Sequence, residues 1–417
     1  MSWAESELSR ADLGDKRRNK RLVTIVEDLV AQPNESVPQA SRDNAAMQGT
    51  YEFWANRRIE ASSIISAHTA ATIERIKLHK HKVVLAIQDK TELDLGKRQR
   101  TRGIGAISNQ GAKGLHVHNV LAVSESGVPL GLLEEKVWAR EKARKGKGIQ
   151  ERRRAIADKE SQRWLDSLET SQNLIPQEIE VITIADREAD IYELFAQTRR
   201  EGSHLLIRAA QNRRVDQDDE ERVKLFEKLR LVSPCGEKTL ELQRTPRRKA
   251  RFANLTVRFT TLELQAPQGK KEIEPGIMVQ AILAEEENPP AGEKAVSWLL
   301  LTTLPVLNYT DACDCLEKYA YRWLIERFHY VLKSGCGVEE LQLETAERME
   351  KALATYSIVA WRLLWLTYEA RKNPDKKIEE VLEEQEWKVL YLATQKNKAL
   401  PTFCPTLREG VRQIASL

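Results

Sequence analysis

Three acidic side chains stand where they could hold hard divalent cations. LAIQDKT places Asp89 directly after the apolar run Val83–Ile87, VITIADREADIY places Asp186 directly after Val181–Ala185, and YAYRWLIERFHYVLKSG carries Glu326. Carboxylates are the ligands that Mg2+ takes, one or two per ion, with waters and phosphate oxygens completing the octahedron. Two such ions about 3.5–4 Å apart acidify an attacking oxygen, stabilise a leaving oxygen and neutralise charge on phosphoryl oxygens. Such a triad suits phosphodiester cleavage and transfer. Asp89 is read as the bridging ligand, Asp186 as ligand to one ion and Glu326 to the other. At about 100° per residue, Tyr319, Arg322, Glu326 and Lys333 fall within a stripe roughly 60° wide on one helix from Tyr319 to Gly335. Leu324, Ile325, Phe328, Val331 and Leu332 lie opposite, and Ser-Gly-Cys-Gly supplies a stop. Arg322 can fork onto a phosphate, Lys333 can meet one as a point charge and Tyr319 can donate to one. An Arg322–Glu326 pair one turn apart is equally an ordinary feature of a solvated helix.

Positioning these groups takes a sheet. Each aspartate is expected where a short buried strand ends, and the carboxyl ends of strands are where sites collect in α/β sheets. HVHNVLAVSESGVPLGLLEEKVWA reads as an antiparallel hairpin around a Ser-Gly turn, with His116 and His118 as exposed strand residues rather than ligands. A loop from Arg140 to Arg154 leads into a helix ending near Glu169. The Asp186 strand, a helix from about Ala189 to Arg200 and a strand at HLLIRA follow.

Tyr319, Arg322, Glu326 and Lys333 reproduce Y-x-x-R-x-x-x-E-x-x-x-x-x-x-K without departure, and D-R-E-A-D-I-Y begins at Asp186. On these motifs the chain resembles the DDE transposases of bacterial insertion sequences, specifically the cut-and-paste family named after insertion sequence four. The order of three strands, helix, strand, helix, strand is that of a ribonuclease-H-like fold, whose first and fourth strands lie side by side. The fold class expected is therefore α/β. A ribonuclease-H-like catalytic core with a β-rich insertion is joined to an all-α N-terminal DNA-binding domain and a short helical C-terminal region. The resemblance implies two Mg2+, with Mn2+ able to substitute, and double-stranded DNA as partner, both transposon ends and target. It also implies a homodimer in the synaptic complex and a hairpinned transposon end held by the Tyr-Arg-Glu-Lys group with Arg187, Arg208 and Trp298. Trp298 has a second reading from composition, as a half-buried sheet residue; the resemblance makes its indole the platform for a flipped base.

Residues 1–60 read as a helical domain that binds transposon ends. Asp15 caps a helix in which Leu22, Ile25, Val26 and Leu29 recur at helical spacing, while Arg17, Arg18, Lys20 and Arg21 crowd its first turns. Positive charge there opposes the helix dipole, so phosphate binding explains it better than helix stability. By resemblance Arg18 and Arg21 contact the end sequence, and the helix from Asn44 to Trp54 enters the DNA. Asn44 and Glu52 depart from better-known relatives. Residues 61–370 are expected to be the catalytic domain, with alternating strands over about 209–304 as its insertion. Residues 371–417 read as a helical region, a shortened form of the element that pairs two protomers in relatives.

The 417 residues, 41% of them hydrophobic, are enough for two or three domains with a substantial core. The net charge of +4 is modest but clustered: Lys97–Arg102, Arg140–Arg154, Arg208–Arg214 and Arg244–Arg251 flank the catalytic segments. The acidic run Asp216–Glu221 is expected to face solvent. Five cysteines form no framework and read as reduced thiols. The start lacks the apolar core of a signal peptide and IVAWRLLWLTY carries Arg362, so no membrane partner is expected. The expected location is the bacterial cytoplasm, on the nucleoid when bound to DNA. Two other readings share parts of this pattern. One is a ribonuclease-H-like nuclease or resolvase, which needs neither the basic helical domain nor the Tyr-Arg-Glu-Lys stripe. The other is a catalytically silent DNA-binding protein left by decay of a mobile element.

Overall fold

The computed structural model describes residues 2–96, 101–107, 111–140, 159–215, 223–242, 250–267, 276–394, 400–401 and 404–414. Its strands are β1 (Val83–Asp94), β2 (Gly105–Ala106), β3 (Lys113–Ser124), β4 (Pro129–Trp138), β5 (Glu180–Ala185), β6 (Ser203–Arg208), β7 (Gly236–Leu242), β8 (Arg251–Leu264), β9 (Ile277–Glu285) and β10 (Ser297–Thr302). The chain divides into two compact units. The first comprises Met1–His81, Asp89–Gly146 and Leu324–Leu417, and the second Lys82–Gln88 and Lys147–Trp323.

The first unit begins with helices whose starts are written in the sequence. Extended Asp15 accepts the Arg17 N–H at 2.8 Å and opens the helix Lys16–Ala31, which buries Leu22, Ile25, Val26 and Leu29. Asp43 accepts the Ala46 N–H at 2.7 Å and opens Asn44–Ala55. The helix Ala346–Lys372 is buried on nearly every side, as its apolar residues at all helical phases require. Trp54 Nε1 donates to Thr355 Oγ1 of that helix at 3.3 Å. β3 and β4 form the expected hairpin, turning at Gly127, whose φ of 84° favours glycine. His116 and His118 are buried, not exposed. Every residue of β3 after Lys113 is buried, so alternation along this strand carries no inside-outside meaning. The His116 ring stacks on Trp138 at 5.3 Å.

The second unit is built on one run of strands. Val83–Ile87 of β1 pair in parallel with Glu180–Ile184 of β5, and β5 pairs in parallel with β6. β6 then pairs antiparallel with β10, followed by β9, β8 and β7. The β-rich segment thus extends the core sheet through the β6–β10 pair. Phe195, Leu205, Ile207, Leu262, Leu283 and Leu301 share the core of this unit. The helix expected from Ala189 to Arg200 is shorter, Tyr192–Ala196, because a 3-10 turn at Arg187–Ala189 precedes it. Asp186 starts that turn by accepting the Glu188 N–H at 2.8 Å.

In the second unit β5 and β6 run parallel to β1, and the first unit carries the β3–β4 hairpin, the elements of a ribonuclease-H-like core. An all-α N-terminal region and a helical C-terminal region complete the α/β architecture. Among the described residues no helix is long and apolar enough to cross a membrane.

Candidate functional site

The register of β1 on β5 is set by residues just before two of the acids. Ile87 lies opposite Ile184, and on each strand the aspartate follows two residues later. Asp186 is half-buried just past the end of β5. Asp89, expected at a strand end, lies inside β1, which continues to Asp94. The continuation has a cause: β1 still runs beside β3 there, and the next residue, Leu95, donates its N–H to the Lys113 carbonyl at 2.9 Å. Asp89 Oδ1 accepts the Lys90 N–H at 2.7 Å. Glu326 is exposed on the helix Trp323–Tyr330. Asp89 and Glu326 belong to the first unit and Asp186 to the second. Among the described residues no three His, Cys, Asp or Glu side chains are gathered into a group that could hold a metal ion. In donor type the three carboxylates, half-buried or exposed, suit a hard, oxygen-seeking cation.

The Tyr-Arg-Glu-Lys segment is not one helix. Tyr309–Ala320 ends in a turn at Tyr321 and Arg322, Trp323–Tyr330 follows, and Val331–Gly335 is a π-helical turn. Tyr321 and Arg322 donate to the carbonyls three residues back, of Lys318 and Tyr319, a tighter winding than the α-helix. The single stripe is therefore broken, and Tyr319 is 3% exposed on the earlier helix. The stop is where it was expected: Cys336 ends the π turn and Gly337 adopts a left-handed φ of 59°.

A buried polar chain holds the helix that carries Glu326. Asn119 donates from Nδ2 to Glu135 at 2.9 Å, which turns its Oδ1 toward His329 Nε2 at 3.1 Å, and the Ser357 hydroxyl donates to Glu135 at 2.5 Å. Burial, then the nearby Lys333 ammonium, pushes the imidazole down to about 3, so neutral His329 donates from Nε2. Burial raises the Glu135 carboxyl. Lys333, half-buried, donates to the Glu92 carbonyl at 2.7 Å and pairs with Glu339 at 3.2 Å.

Within the second unit the structure gathers six of the expected residues. Trp298, half-buried on β10, meets Tyr319 edge-on at 5.2 Å. The Tyr319 hydroxyl is buried and has no hydrogen-bond partner among the described residues. Burial raises its pKa, Arg322 and Arg208 pull it down, and Asp186 pushes it up. Arg208, at the end of β6, donates to the Ser297 carbonyl at 2.8 Å and lies beside Tyr319 without hydrogen-bonding geometry. Its pKa is lowered by burial; Tyr319 opposes that, and the positive charges of Arg187 and Arg322 add to it. Asp186, Arg187, Arg208, Trp298, Tyr319 and Arg322 thus form one electrostatic neighbourhood of three guanidiniums, two aromatic rings and one carboxylate.

In the N-terminal region Arg21 is exposed and its guanidinium lies over Gly49, where an added Cβ would come within 2.5 Å of it. Arg18 donates to the Leu13 carbonyl at 2.8 Å. Of the basic runs, 97–100, 141–154 and 244–249 lie outside the described residues, as does the acidic run at 216–221.

One residue went unassigned in sequence. Asp190 is buried, accepts the N–H groups of Ala210 at 2.6 Å and Gln211 at 2.7 Å, and pairs with Arg213. It fixes the chain just beyond Arg208. Its signal was the second aspartate of D-R-E-A-D-I-Y, four residues after Asp186 and on the buried side of the turn.

Residues 1–59 match the family model described as Transposase DNA-binding, and residues 152–362 match the one described as Transposase DDE domain. The second match covers about half of the chain, takes in β5 and the Tyr-Arg-Glu-Lys segment, and begins after Asp89. With a transposase DNA-binding region ahead of a DDE domain, this chain belongs to the DDE transposases.

Proposed function

We propose that this transposase binds the inverted-repeat ends of its insertion sequence, cleaves them through a hairpin intermediate and joins the freed 3′-hydroxyls to target DNA. The observation that carries the reading is the parallel pair Ile87–Ile184, each member followed two residues later by an aspartate. Asp89, Asp186 and Glu326 are the residues that would hold two Mg2+, or Mn2+ in its place. When bound, the ions supply acidification of the attacking oxygen and neutralisation of phosphoryl charge. The chain supplies the rest. Arg322, Arg208 and Arg187 grip phosphates beside the scissile bond. Tyr319 turns its hydroxyl to a phosphate oxygen, and Lys333 adds a point charge. Flipping a base costs a few kcal/mol, which stacking on the Trp298 indole, about 1–3 kcal/mol, largely offsets. Arg18 and Arg21 contact the end sequence, two protomers pair on two ends, and the reaction takes place on the bacterial nucleoid.

The test is a plasmid bearing a marker between candidate inverted repeats, incubated with the protein and Mg2+. Excision of the marker supports the proposal. Nicking without regard to the repeats would identify a ribonuclease-H-like nuclease instead, and a mobility shift without cutting would identify a silent DNA-binding remnant.

A further inference from the structure

In the DNA-free chain Lys333 already has an anion. Its ammonium donates to the Glu92 carbonyl of β1 at 2.7 Å and pairs with Glu339 Oε1 at 3.2 Å, and that same oxygen accepts the Asp94 N–H at 2.8 Å. Glu339 lies in a 3-10 turn, Val338–Glu340, which Gly337 permits by taking a left-handed conformation after the π turn. The carboxylate is thus held at a set place by a backbone donor, rather than swinging on a flexible stem. Both side chains are partly open, 29% and 27% exposed, so a phosphate can approach the ammonium from solvent. An ammonium has three donors, of which these contacts use two.

We propose that Glu339 is a positioning residue: it holds Lys333 in place in the absence of DNA, standing where a phosphate oxygen will stand, and releases it when the DNA backbone arrives. The inference rests on the reading that Lys333 grips phosphate. Exchange of one anion for another makes docking at Lys333 nearly neutral in charge, so this lysine adds little to indiscriminate binding. A phosphate displaces Glu339 when neighbouring contacts bring it to that point. Removing the Glu339 charge leaves a bare ammonium, which binds any backbone and releases a counterion in doing so.

The test measures affinity of the full-length protein for a mixed-sequence DNA duplex without divalent metal, across a potassium chloride titration. Glu339→Gln retains an oxygen for the Asp94 N–H, and its melting temperature should match that of the wild type. It should bind about 3-fold tighter at low salt, with the slope of log affinity against log salt steeper by about 0.9, one phosphate's worth. Glu340→Gln, a charge loss one residue away, should leave the slope unchanged. In a Lys333→Met background, Glu339→Gln should also leave it unchanged. The inference is overturned if Glu339→Gln and Glu340→Gln behave alike, or if the effect of Glu339→Gln survives without Lys333. Should Lys333→Met bind a duplex carrying the inverted repeat as tightly as the wild type does, the phosphate role of Lys333 fails, and the inference with it. That result differs from Lys333→Met weakening binding while Glu339→Gln changes nothing, which overturns the Glu339 role alone.

Discussion

The Trp298 indole meets the Tyr319 phenol edge-on, ring centroids 5.2 Å apart and planes inclined by 73°. An edge-to-face pair is worth about 0.5–1.5 kcal/mol beyond its buried area, so each ring holds the other at a fixed angle. Trp298→Ala should slow hairpin formation more than first-strand nicking, as followed on denaturing gels of end-labelled DNA. Equal slowing of both steps would remove the stacking role. Tyr319→Phe deletes a hydroxyl with no hydrogen-bond partner among the described residues. Its midpoint in urea should stay level or rise, while strand transfer falls.

Asp89→Asn, Asp186→Asn and Glu326→Gln should each abolish cleavage while leaving end binding within about 3-fold, a difference under 1 kcal/mol. Cleavage and mobility-shift assays on one DNA substrate distinguish the two properties. A Glu326→Gln protein that still nicks DNA would sink the assignment.

Asp190 is the acid of D-R-E-A-D-I-Y to which a purely structural role falls. Asp190→Ala would strip Arg213 of its buried partner and two N–H groups of their acceptor. Breaking a buried pair from one side costs about 3–5 kcal/mol. Equilibrium urea unfolding should show a loss of that order; a loss below about 1 kcal/mol, the value of an exposed pair, would contradict the assigned role.

His329 makes stability depend on acid. Its imidazole is held down to about 3, against 6.5 for the unperturbed group. Between those values the unfolded chain binds a proton that the native chain refuses. Stability is therefore fully present above 6.5 and falls as pH drops toward 3, by up to about 1.4 kcal/mol per unit. Glu135 works the other way, since its raised carboxyl takes up a proton in the native state first. His329→Gln keeps an amide donor for Asn119 and leaves Glu135 in place, so comparing the two proteins isolates the imidazole. Wild-type unfolding free energy should fall more steeply with acid than that of the variant. Parallel lines would mean that the native imidazole takes up its proton as readily as the unfolded one.

What could be read from sequence was what local chemistry decides. Asp15 and the Leu22–Leu29 spacing announce the helix Lys16–Ala31, and the apolar runs before Asp89 and Asp186 announce two adjacent parallel strands. Contacts with distant segments decided the rest. Lys90, Thr91 and Glu92 look like the end of a strand, yet β1 continues through them beside β3. Nothing in Tyr321 or Arg322 opposes a helix, yet the chain winds more tightly there and buries Tyr319. His116 and His118 read as exposed because sequence cannot say that β3 is buried along its length. The candidate site was legible as residue types and as two motifs, whereas Glu339 and Asp190 acquire their roles only from what they touch.

The π turn at Val331–Gly335 absorbs one residue more per turn than an α-helix does, so the stretch from Glu326 to Lys333 sweeps through less rotation than its length suggests. Counting along the motif measures contour, while the direction in which the ammonium leaves the axis depends on where the surplus residue is stored. Shortening that turn by one position would swing Lys333 off the Glu92 carbonyl without changing any of the four hallmark side chains.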